Sequence, residues 1–160
     1  MIILEFKVLT EEEFRIFIKD NPSSSFMQTP ELAHLKEEMG SIKHYVGVVK
    51  ENKIIAGSLL LEDKTILNKR MFYAPRGLIV DYNNFELLKF FTEEVKKYIK
   101  KNKGFMLTID PNVIYRKRNS DGDIIPENKE NNEAIDNLKK LGYNHHGFNL
   151  YLDTKQARWC

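Results

Sequence analysis

The sequence predicts an α/β (α+β) domain built on a mixed, largely antiparallel sheet flanked by helices. Three observations carry this. Strand-like runs joined by short turns fill residues 44–73, two capped helices precede them, and a long amphipathic helix leads into an apolar run at 105–109 as in a βαβ unit. All 160 residues read as one domain, large enough for a proper core and too small for two.

Residues 2–8 alternate as a strand. Thr10-Glu11-Glu12-Glu13 has capping-box spacing, and the helix behind it presents Phe14, Phe17 and Ile18 before stopping near Asn21-Pro22. Ser23-Ser24-Ser25 is a polar loop. Thr29-Pro30 opens a second helix, which Gly40 closes. His44 to Val49 and Ile54 to Leu61 flank a turn at Lys50-Glu51-Asn52-Lys53. Thr65 to Tyr73 is a third strand, antiparallel to the second across Glu62-Asp63-Lys64. Ala74-Pro75-Arg76-Gly77 then breaks the pairing, and Leu78 to Val80 is a brief apolar return ending at Asp81.

Asn83 and Asn84 can cap a helix to about Lys101, with Leu87, Leu88, Phe91, Val95, Tyr98 and Ile99 on one face. Lys96, Lys97, Lys100 and Lys101 occupy its last turns, where cations suit the helix dipole. Phe105 to Ile109 reads as a buried strand ended by Asp110-Pro111. Residues 115–132 form a charged loop, Glu133 to Leu141 a short helix, and Phe148 to Leu152 a final strand.

Charge narrows the function. The 25 basic and 23 acidic residues leave a formal charge of +2, too little for a protein whose main task is gripping DNA. No apolar run approaches the roughly 20 residues of a membrane-spanning helix, so membrane association is at most peripheral. The start lacks the pattern of a signal peptide, and Cys160 is the only cysteine. Together these point to a cytoplasmic protein. His145 and His146 would face opposite sides of a strand, and His34 and His44 are distant in sequence, so no metal site is expected. Ser23 to Ser25 lack the context of a serine nucleophile.

Three places can carry chemistry. Between Tyr73 and Asp81, Pro75 fixes the chain before Arg76 and Gly77 permits an unusual backbone angle after it. A guanidinium held there can bind phosphate or carboxylate, and Asp81 can orient it or accept bonds from a substrate. Spacing alone suits a structural turn closed by an Arg76–Asp81 ion pair better than a ligand site. The helix opened by Thr29-Pro30, with Lys36 two turns in, has the form of an anion site or of an ordinary capped surface helix. Asp110 ends a strand, where a shielded carboxylate can act as a base or simply cap a turn before proline.

Taken together, Phe26-x-Gln28, Gly57, Tyr73-x-Pro75-Arg76-Gly77-x-x-x-Asp81, Asp110-Pro111 and Gln156-Ala157-Arg158-Trp159 resemble the FemABX family of non-ribosomal peptidyltransferases from about residue 3 to 160. The resemblance implies an acetyltransferase-like (GNAT) fold. It also implies a cytoplasmic enzyme that moves an amino acid from aminoacyl-tRNA to the stem peptide of a nucleotide- or lipid-linked peptidoglycan precursor. By the same resemblance Lys36 helps bind the precursor, with Tyr73, Arg76, Gly77 and Asp81 around it. Asp110 is the candidate base for the attacking amine. No cofactor is expected, since aminolysis of an activated ester needs positioning and charge stabilisation.

Two departures stand out. Leu78 replaces the proline that many members carry after Arg-Gly. The chain also stops at Cys160, where a second subdomain and the tRNA-contacting helical arm are expected. Aminoacyl-tRNA is therefore expected to need that missing half, and the face left for it favours self-association. Two other functions fit: a precursor-binding fragment without turnover, and a CoA-dependent N-acetyltransferase. Against the latter, no second glycine follows Arg76-Gly77 closely, and Asp81-Tyr82-Asn83-Asn84 would repel a pyrophosphate.

Overall fold

The computed structural model describes residues 3–65, 69–125 and 130–147. The expected strand at Phe148–Leu152 and the segment Gln156–Trp159 lie outside the described residues. In chain order the elements are β1 (Glu5–Val8), α1 (Glu11–Lys19), α2 (Pro30–Glu38), β2 (Ile42–Lys50) and β3 (Lys53–Lys64). They continue with β4 (Arg70–Ala74), α3 (Phe85–Lys101), β5 (Gly104–Ile109) and α4 (Asn132–Lys140). A single 3-10 turn at Phe26–Gln28 precedes α2.

The five strands lie in the order β1-β2-β3-β4-β5; all neighbours are antiparallel except β4 and β5, which are parallel and joined through α3. Local chemistry sets the ends of the elements. Thr10 and Glu13 form the capping box of α1, while Thr29 caps α2 with Pro30 in its first turn. Asn84 accepts from the Leu87 amide at the start of α3. Glu51 and Asn52, both at positive φ, make the two-residue turn between β2 and β3.

Each face of the sheet is covered. Leu88, Phe91, Val95 and Ile99 of α3, with Ala134 of α4, pack on Val46, Val48, Ala56, Leu60 and Phe72. On the other face Phe14 and Ile18 of α1 and Ala33 of α2 pack on Tyr45, Leu59, Leu61 and Ile79. Alternation along β2 and β3 sends successive side chains to opposite layers, so both faces need apolar residues.

Two expectations are corrected. Glu62-Asp63-Lys64 is strand, not turn: β3 continues to Lys64, and β4 starts only at Arg70. Glu62 looked like a turn residue because it is charged, but it lies inside the fold, bonded to His44 and Arg70. Likewise β5 is not buried. It pairs with β4 on one side only among the described residues, and Phe105, Met106 and Thr108 are exposed.

Candidate functional site

The break at Pro75–Gly77 interrupts the pairing between β3 and the chain after it. Leu61 still faces Tyr73, and further on Gly57 and Ile79 exchange both backbone bonds, at 3.0 and 2.9 Å. Between them Leu59 presents its N–H and C=O to a strand that has bulged away. The fully buried Gln28 fills the gap. Its Oε1 accepts from the Leu59 amide (2.7 Å), and its Nε2 donates to the carbonyls of Leu59 (3.2 Å) and Pro75 (2.6 Å). One carboxamide thus replaces a missing piece of strand and fastens the bulge to it.

Arg76, not Gly77, adopts the left-handed backbone, with φ of 51°. That conformation costs a non-glycine residue about 1–2 kcal/mol. Asp110 offsets it: Oδ1 accepts from the Arg76 amide at 2.6 Å, and Oδ2 accepts from the Tyr73 hydroxyl at 3.1 Å. Gly77 is needed for space instead, since a Cβ there would stand 2.8 Å from Ser58 Oγ and 2.9 Å from Gln28 Nε2. Partial burial raises the pKa of Asp110 above the usual carboxylate value, against the lowering effects of the Arg76 amide and the Tyr73 hydroxyl.

Tyr73, Arg76, Gly77 and Asp110 are thus brought together at the carboxyl ends of β4 and β5. No ion pair joins Arg76 to Asp81 among the described residues. Asp81 is exposed and accepts from the Asn83 amide at 3.0 Å, which shapes the entry to α3. Lys36 stands in the second half of α2. Eight residues beyond Gln28, it is about 12 Å further along the chain's helical path, and no bond links it to the bulge.

Beyond the last pair of the β4–β5 ladder, Ala74 with Ile109, the two chains diverge. A cleft of about 580 Å³ opens between Leu78–Asn83 on one side and Asn112–Ile114 on the other, with Asn21–Ser23 at its rim. Asp81 lines it; Tyr73 stands just before the point of divergence, and Arg76 and Asp110 just past it. Its wall is tied back by Tyr82, whose hydroxyl donates to the Leu78 carbonyl (2.8 Å), and by Asn137, whose Nδ2 donates to the Tyr82 carbonyl (3.0 Å). Sequence reasoning placed Gln28 in a motif without giving it a role, and missed Ser58, Tyr82 and Asn137. The bonds from Gln28 to Leu59 and from Asn137 to Tyr82 span 31 and 55 residues, separations that leave no local pattern.

A helix-flanked mixed sheet in this strand order, opening between parallel β4 and β5, defines the acetyltransferase-like class. Solved structures agree. An acetyltransferase of Trypanosoma brucei matches 95% of this chain and 100% of its own, with a TM-score of 0.58 at 14% identity, which shows the fold alone.

The chain belongs to the FemAB family, whose model matches residues 9–160. It is 37% identical over 151 residues to the aminoacyltransferase FemA of Staphylococcus aureus (strain bovine RF122 / ET3-1), covering 94% of this chain and 36% of that protein. FemA of strain MW2 matches over the same extent. The crystal structure of FemX superposes with a TM-score of 0.74 at 28% identity, over 91% of this chain and 33% of FemX. The chain therefore spans about a third of the length of these relatives.

Proposed function

We propose that this chain is the precursor-binding part of an aminoacyltransferase that carries an amino acid from aminoacyl-tRNA to the stem peptide of a peptidoglycan precursor. The reaction is an aminolysis. The peptide amine attacks the ester carbonyl, a C–N bond forms, and the C–O bond to the tRNA ribose breaks. The proton lost by the amine ends on the ribose hydroxyl. The reaction uses no redox step, so it calls for positioned charges and hydrogen bonds.

The observation that supports this reading best is the Asp110–Arg76–Tyr73 cradle at the carboxyl ends of β4 and β5. In this reading Arg76 meets an anionic group of the nucleotide- or lipid-linked muropeptide, and the stem peptide lies in the cleft beside Asp81. Each Asp110 oxygen is drawn on by one donor and keeps further acceptor capacity, so the carboxylate can hold the attacking amine and receive its proton. Lys36 is a second anion contact further out. Aminoacyl-tRNA is recognised by the remainder of a full-length relative, and the chemistry belongs in the cytoplasm.

The entry to α3 argues against a CoA acetyltransferase. The side chains of Asp81 and Asn84 already occupy the amides of Asn83 and Leu87, where a pyrophosphate would need free N–H groups.

Calorimetric titration of the chain with a nucleotide-linked muropeptide tests the proposal. One-to-one binding is expected, weakened about tenfold or more in Arg76→Ala and in Arg76→Lys, which loses the planar fork. Binding of CoA with no response to the muropeptide would sink the reading.

A further inference from the structure

The end of the sheet opposite the cleft is a separate surface. Here β4 and β5 begin, with Arg70 paired to Gly104, Lys64 facing Arg70 across the β3–β4 ladder, and Ile42 facing Glu62 across β2–β3. The C-terminus of α3 arrives at the same place, because Lys103 directly precedes β5 and its amide bonds the Lys100 carbonyl. Lys64, Lys69, Lys100, Lys101 and Lys103 are therefore gathered at one end of the molecule, all exposed and none in an ion pair among the described residues.

Elsewhere among the described residues Lys7, Lys43 and Lys97 are in ion pairs, with Glu13, Glu37 and Glu94. Of the acids nearest this end only Glu62 is in an ion pair among the described residues; Asp63 and Glu38 are not, and they stand against five lysines. Asp63 accepts from Ser41 at 2.6 Å, Glu62 is buried against Arg70 and His44, and Glu38 ends α2. The helix dipole accounts for Lys100 and Lys101. It does not account for Lys64, Lys69 or Lys103.

Large apolar side chains are exposed at the same end of the sheet: Met39 (70% accessible), Phe105 (56%) and Ile42 (38%). Lys69 Nζ stands 5.8 Å from the centroid of the Phe105 ring. We propose that this end docks peripherally on an anionic phospholipid surface, the lysines meeting headgroup phosphates and Met39, Ile42 and Phe105 entering the headgroup boundary. Two features favour lipid over a polynucleotide. The one arginine here, Arg70, is turned inward to Glu62, and a face of the Phe105 ring is taken by a lysine rather than left for a base. Strand length places the Arg76–Asp110 end about 15 Å further from the docked surface. The inference does not depend on the reaction proposed above.

Co-sedimentation of the chain with vesicles is the test, comparing phosphatidylcholine alone with phosphatidylcholine mixed with phosphatidylglycerol. Uptake is expected only on the mixed vesicles and should fall with added salt. Lys64→Glu/Lys101→Glu should lower the partition constant by more than about tenfold, and Phe105→Ser by a few-fold. A second pair, Lys100→Gln/Lys103→Gln, removes charge without adding acid and should also weaken uptake, with thermal melts unchanged for both pairs. Equal uptake on neutral vesicles, uptake that survives the charge reversals, or tight binding of transfer RNA with vesicles ignored would each overturn the proposal.

Discussion

Two of the buried polar clusters among the described residues are built on opposite principles. At the bulge, Gln28 satisfies three backbone groups with one neutral carboxamide. Toward the other end of the sheet, Glu62, only 2% exposed, receives His44 Nε2 at 2.8 Å and the Arg70 guanidinium, while His44 Nδ1 meets the Tyr98 hydroxyl at 2.8 Å. The first cluster replaces missing strand pairing and fixes the position of a loop. The second closes charges among side chains and fixes the packing of α3 on the sheet through Tyr98. A neutral cluster buried among backbone groups has no proton to lose, so only the ionic one should respond to pH.

The largest effect is expected for Gln28→Ala. It leaves the Leu59 N–H and the Pro75 carbonyl without their side-chain partner, leaves the Leu59 carbonyl only the Ser58 hydroxyl, and opens a cavity, a loss of about 3–5 kcal/mol. Urea unfolding checks this, and the loss should be the same at pH 5.5 and pH 8. Glu62→Gln should cost about 2–3 kcal/mol, because Arg70 and His44 lose their shared carboxylate. Arg70 is a quarter exposed and can turn to water, which keeps the effect below that of Gln28. A Glu62→Gln protein as unstable as Gln28→Ala would remove the distinction between the clusters.

Legibility followed the same divide. Capping residues and helix faces are local, so Thr10, Thr29 and Asn84 marked α1, α2 and α3 in advance, and the βαβ step to β5 was readable from the length and stripe of α3. Both buried clusters were invisible. Glu62 carries the signature of a turn until His44 and Arg70 are seen beside it. Gln28 was a letter in a motif until Leu59 and Pro75 met it. In the candidate site, Arg76 and Asp110 were both singled out, but the contact between them was not foreseen. The expected partner was Asp81, five residues away, whereas the carboxylate that bonds the Arg76 amide comes from the end of β5, 34 residues on.

The pH response isolates the ionic cluster. Burial, and then the nearby Arg70 charge, lower the pKa of His44 below its ordinary 6.5. Glu62 does not reverse this, because its charge is already met by Arg70. A base with a lowered native pKa is protonated first in the unfolded chain. Stability is therefore full above about pH 6.5 and declines as the pH falls toward the native value. The slope cannot exceed about 1.4 kcal/mol per pH unit for one proton. His44→Gln should flatten this part of the profile, measured as denaturation midpoints between pH 5 and pH 8. An unchanged slope would assign the acid sensitivity to another group.

The smallest effect, and the sharpest contrast with Gln28, is expected for Asp110→Asn. Asparagine keeps an oxygen for the Arg76 amide, and its Nδ2 can donate to the Tyr73 hydroxyl, so stability at neutral pH should change by no more than about 1 kcal/mol. The sign of its pH dependence is opposite in kind to that of His44. Burial raises the native pKa of Asp110, so the native state takes up the proton before the unfolded chain does. The contribution of this residue is greatest at low pH and is lost as the pH rises from about 3.8 through the raised native value. Asp110→Asn should remove that loss. Muropeptide affinity supplies the other half of the test. A carboxylate that only props the loop can be replaced by the amide with little change in binding. One that also holds the acceptor's ammonium, before it loses its proton and attacks, cannot, and affinity should then fall about tenfold while the melt stays near that of the parent.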